Sequence, residues 1–66
     1  MMIIVTKTRL NGIHEAVVLD GEFKDRPVAL IVPSSEDRRR HHIIYEGLVM
    51  EAILLRHDGL HIDVTI

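Results

Sequence analysis

The stretch Leu48-Val49-Met50-Glu51-Ala52-Ile53-Leu54-Leu55 decides how the rest of the chain reads. As a β-strand it places Leu48, Met50, Ala52 and Leu54 on one face and Val49, Ile53 and Leu55 on the other, because successive side chains alternate. As a helix it is apolar nearly all round, with Glu51 its one charged residue. In either geometry both sides of the element need cover. A chain of 66 residues has little material for that. The reading that follows is a homo-oligomer, most simply a homodimer. The second subunit supplies the missing cover, with Leu48, Val49, Met50, Ile53 and Leu55 as candidate interface residues.

Downstream, Asp58-Gly59 is a dipeptide suited to the positive φ angles of a tight hairpin turn. Beyond it the segment Leu60–Ile66 alternates, with Leu60, Ile62, Val64 and Ile66 on one face and His61, Asp63 and Thr65 on the other. That is the clearest strand pattern in the chain. It predicts a carboxy-terminal hairpin.

Upstream, Ser34-Ser35-Glu36-Asp37 has the form of a helix start. A serine hydroxyl can cap free amides, the acid three residues on can reach back, and both acids favour the positive helix end. The helix is expected to run to about Tyr45 and to end at Gly47. Its apolar face is small, comprising Ile43, Ile44 and Tyr45, and a strand over Arg40–Tyr45 is the competing reading. Val28–Val32 is a short apolar run between Pro27 and Pro33, as expected of a strand buried on both faces. Asn11-Gly12 is a hairpin turn signal between strand-like Met2–Leu10 and Ile13–Leu19. In the second of these, Ile13, Val17 and Leu19 share a face with Glu15. Asp20–Arg26 reads as a loop.

These elements predict an α+β fold: one small domain over 1–66 with a mainly antiparallel sheet in the order βββαββ and one short helix. An all-β small barrel, with 40–66 entirely in strands, is the alternative.

Composition narrows the function classes. Apolar residues make up 47 % of the chain, which contains no cysteine. Disulfides and cysteine-ligated metals are thereby excluded, and a reducing, cytoplasmic setting is expected. No apolar run reaches the roughly 18 residues of a membrane span, so no membrane role is expected. The net charge of −2 is not that of a chain basic throughout, and its five histidines make the sign reverse in mildly acidic solution.

Arg38-Arg39-Arg40-His41-His42 is the densest chemical feature. Arginine forks suit phosphate oxygens, and Lys7 and Arg9, on one strand face, could extend such a patch. These seven residues are candidates for binding nucleic acid or an acidic protein partner. The alternative is a solvated face neutralised by Glu36, Asp37 and Glu46. With Phe23 and Tyr45 the only aromatics, stacking platforms for single-stranded bases are missing.

His57 and His61 have metal-ligand spacing only on a helix, and Asp58-Gly59 between them breaks one. They read as turn histidines, and no metal is expected. No cysteine nucleophile, serine elbow or glycine-rich phosphate loop is present, so the chain reads as non-enzymatic, without cofactor or evident small-molecule substrate.

Thr8-Arg9-Leu10-Asn11-Gly12 resembles the opening of a family of short flagellar proteins, but nothing after Leu19 continues the match. Met2–Lys7 resembles the first strand of the carbon-storage-regulator family of RNA-binding dimers, whose glycine-rich hairpin this chain lacks. Neither resemblance assigns a family. The expected function is a small regulatory binding protein acting through protein–protein contact as a homodimer, with nucleic-acid binding through Arg38–Arg40 as the alternative.

Overall fold

A computed structural model of the chain describes residues 1–32 and 43–66. Its regular structure comprises β1 (Met2–Lys7), β2 (Ile13–Val18), β3 (Pro27–Ile31), β4 (Val49–Glu51), β5 (Ile53–Asp58) and β6 (His61–Thr65). The β-branched residues frequent in β1, β2 and β6 suit a pleated surface and lose rotamer freedom in a helix. All six strands join one sheet in the order β4-β1-β2-β3-β6-β5. The pairings are antiparallel except β3 with β6, which is parallel.

Curling of the sheet into a half-barrel follows from one feature of this order. Its two edge strands, β4 and β5, are consecutive in the chain and separated only by Ala52. The sheet must therefore bend until its edges approach. Ala52 is buried at the junction, and Met1 clamps it there. The Ala52 N–H donates to the Met1 carbonyl at 2.7 Å, and the Met1 ammonium donates to the Ala52 carbonyl at 3.0 Å.

Within the curl lies the core of Ile3, Val5, Ala16, Val18, Val28, Leu30, Val32, Ala52, Ile62 and Val64, with Leu48, Met50 and Ile66 packed against it. Turns hold the strands at both ends of the sheet. The Asn11 Oδ1 accepts the Ile13 N–H at 3.0 Å, and the Val32 N–H donates to the Gly12 carbonyl at 2.9 Å. Gly12 has φ +81°, which only glycine adopts without strain. At the opposite end the 20–26 loop folds against the β5–β6 turn. The Phe23 and His57 rings meet edge to face at 4.9 Å, and the Arg26 guanidinium donates to the Gly59 carbonyl at 3.3 Å.

The α+β expectation is overturned, because the described residues contain strands and no helix. The helix start at 34–37 lies outside the described residues. The end of the expected helix is described, and it is not helical. Residues 43–45 are irregular, and the Leu48 N–H turns back to the Tyr45 carbonyl at 3.1 Å. The Gly47 N–H donates to the Val5 carbonyl, and the Val5 N–H to the Leu48 carbonyl, so the chain is already laddered to β1 before β4 begins. Those sheet bonds take the backbone groups a helix would have used. The all-β alternative fits the structure.

In β2 the face shared by Ile13, Glu15 and Val17 is the outer one, and the buried side chains are His14, Ala16 and Val18. One placement is corrected. Leu60 lies in the turn before β6 and is exposed, although its sequence pattern put it inward with Ile62 and Val64.

Candidate interaction surface

The edge strand β5 is exposed at every position. Ile53, Leu54 and Leu55 retain 62 %, 44 % and 56 % of their accessible surface, an unusual outlay of adjacent apolar side chains for a small sheet. Local geometry explains it. Leu54 pairs with Val64 and Arg56 with Asp63, so Leu55 is an extra residue on the β5 side of the ladder. Such a bulge leaves its residue without a cross-strand partner and twists the strand. The next turn adds Leu60, 87 % exposed. Val49, on β4, is half exposed beyond Ala52.

Polar groups flank this strip. The Arg56 guanidinium lies 3.3 Å from the Asp63 carboxylate, and His61 Nδ1 lies 3.6 Å from Asp58 Oδ1. The His61–Asp58 pair is largely solvated, and in the other pair the arginine is mostly in water while Asp63 is largely covered. An exposed pair of this kind contributes little to stability. Among the described strands only β6 pairs with β5. The outer backbone edge of β5 has no strand paired with it among the described residues.

The candidate interface residues from the sequence divide in two. Leu48 and Met50 turn inward and pack against the core, whereas Val49, Ile53 and Leu55 are exposed. The sequence reading placed Leu54 on one face with Leu48 and Met50, left it out of the candidate interface, and did not single out Leu60 as a contact residue. Both are part of the exposed strip. The signal for Leu60 was present in its position directly after Asp58-Gly59, within a two-residue turn.

Of the basic candidates, Arg38, Arg39, Arg40, His41 and His42 lie outside the described residues. Lys7 ends β1 opposite Glu15, and Arg9 follows in the hairpin loop with its guanidinium ion-paired to the Glu15 carboxylate. Arg9 is also anchored by its backbone, whose N–H donates to His14 Nδ1 at 3.0 Å.

His57 meets Phe23 edge to face and His61 leans on Asp58, so the two histidines are directed to different neighbours. Among the described residues no group of three or more His, Cys, Asp or Glu side chains converges. A shallow groove of about 530 Å³ crosses the outer sheet face over Val17, Pro27 and Ala29, with Glu15, His61 and Asp63 at its margins. Glu15 is engaged with Arg9, and Asp63 with Arg56. No helix among the described residues is long and apolar enough to cross a membrane.

No protein-family model, curated protein or solved structure matches this chain.

Proposed function

We propose that the chain is a small non-enzymatic binding protein that acts through protein–protein contact, as a homodimer, in a cytoplasmic setting. One observation carries the reading: the adjacent apolar residues Ile53, Leu54 and Leu55 are all exposed on one edge strand, with Val49 exposed on the preceding strand. A core of this size rarely supplies more than about 3–5 kcal/mol, so covering such a strip with a partner adds stability the fold needs. The absence of cysteine supports the reducing setting.

Sedimentation equilibrium of the wild type and of Ile53→Asp tests the proposal. The wild type is expected to be a dimer at micromolar concentration, and Ile53→Asp a folded monomer. A wild-type monomer at high micromolar concentration overturns it. Mixed RNA and DNA oligonucleotides at about 50 mM salt, where phosphate contacts are strong, are expected not to bind. Binding that weakens steeply with salt, and is lost when Arg38–Arg40 are replaced by glutamine, would favour a nucleic-acid regulator instead.

A further inference from the structure

From the geometry of β5 we infer how two copies meet: their β5 strands pair antiparallel, edge to edge, about a two-fold axis near His57. The inference rests on the homodimer reading and adds its mode and register.

A strand edge offers a row of backbone donors and acceptors, and another strand satisfies them best. Of the two edges in this sheet, β4 has three residues and β5 has six. β5 has no proline or lysine to block pairing; its edge-blunting features are the Leu55 bulge and the charges of Arg56 and Asp58, which a partner of matching charge order would neutralise. Its amino-terminal end is closed, because Met1 occupies the backbone of Ala52. An added strand must therefore sit toward the Arg56–Asp58 end.

The occupant is identified by charge order. Arg56 and Asp58 are two residues apart on a strand, hence on the same face. An antiparallel copy reverses that order. With the axis at His57, each Arg56 lies opposite the other copy's Asp58, which gives two attractive rungs and no repulsive one. The same register carries Leu54 and Leu55 over the other copy's exposed turn at Leu60. A self-complementary patch of this kind is what a two-fold interface requires. One strand thus supplies backbone pairing, charge matching and apolar cover to its own copy.

Charge reversal and hydrogen exchange test the inference together. Arg56→Glu and Asp58→Lys each place like charges across the axis, and each is expected to weaken the dimer by about tenfold, within the range of two cross-strand charge rungs. Mixed in equal amounts they restore opposite charges and are expected to associate as heterodimers with near wild-type affinity. In the wild type, β5 amides are expected to gain exchange protection as concentration is raised through the dimer range. Where a charge variant fails to fold, the wild-type exchange measurement decides.

Dimers whose β5 amides stay unprotected would overturn edge pairing and leave the homodimer reading intact. Failure of the two variants to complement each other would overturn the His57 register. Protection already complete in dilute monomer would show the edge covered by the chain itself and overturn the inference. A monomer at every concentration would overturn both proposals.

Discussion

The backbone N–H of Arg9 donates to Nδ1 of His14 at 3.0 Å, and this bond ties the hairpin loop to the one buried polar side chain among the described residues. An imidazole accepting at Nδ1 in its neutral form carries its proton on Nε2. His14 thus has a fixed tautomer, and its ring takes a place in β2 that would otherwise suit an aliphatic residue. From the other side of β2, Glu15 holds the Arg9 guanidinium. Neighbouring residues on opposite faces of one strand therefore grip a single loop residue by its backbone and by its side chain.

Replacing His14 by leucine keeps the apolar volume and removes the acceptor. The Arg9 N–H is then left without its partner, at a cost of about 1–3 kcal/mol for a buried group and less if the loop opens to water. His14→Leu is expected to lower the urea midpoint and to speed amide exchange in residues 8–12. A variant as stable as the wild type, with the loop still protected, would show that the bond contributes nothing.

Glycine substitutions should rank by their surroundings. Gly12 and Gly59 both have positive φ, so alanine is strained at each by about 1–2 kcal/mol. A methyl group at Gly12 would also lie 3.3 Å from the Val32 carbonyl oxygen, which already accepts no slack because Val32 is bonded back to Gly12; at Gly59 it would meet nothing within 4 Å. Gly12→Ala is expected to be the more destabilising of the two. Thermal melts of both variants check the order, and the reverse order would contradict it.

How much of this was legible in the sequence depends on whether the signal was local. The Asn11-Gly12 and Asp58-Gly59 turns and the inward Ile62 and Val64 were readable, because turn chemistry and period-two alternation are written in adjacent residues. In β2 the alternation was readable, with Ile13 and Val17 on the face of Glu15, but both faces hold apolar side chains and neither was marked as the buried one. Ile13, Val17 and Leu19 outweigh Ala16 and Val18 by hydropathy, and nothing local shows that His14 turns into the core, where its Nδ1 accepts the Arg9 N–H. The apolar stretch was correctly seen as two-sided, but its division at Ala52 was not. That bend depends on Met1, 51 residues away in sequence. The expected helix failed at its described end for a similar reason, since Gly47 and Leu48 are bonded to Val5 of the first strand. The Arg38–Arg40 candidates lie outside the described residues.

The Arg56–Asp63 pair joins β5 to β6 at 3.3 Å, with the arginine side chain mostly in water. Exposed pairs contribute about 0–1 kcal/mol, and salt screens them. Asp63→Asn is therefore expected to change monomer stability by less than about 1 kcal/mol. Chemical denaturation of a monomeric background such as Ile53→Asp measures this. A larger loss would mean that the pair holds the hairpin register.

Leu30 makes the sharpest test of the core, because it is fully buried on β3, between β2 and β6, with His14 and Val64 as its cross-strand partners. Truncating a buried leucine to alanine removes about 2–5 kcal/mol, the transfer energy of the lost atoms together with the cavity left behind. A core this small supplies about 3–5 kcal/mol in total. Leu30→Ala is thus expected to leave the isolated chain largely unfolded at 25 °C. Leu10→Ala, at a fully exposed loop position, should melt with the wild type. The dimer reading adds a concentration dependence. Partner binding to the folded state raises stability by mass action, so folded Leu30→Ala should reappear as its concentration is raised through the dimer range. Circular dichroism over a hundredfold concentration series measures this directly. A Leu30→Ala chain folded to the same extent at every concentration would show that the core stands without a partner.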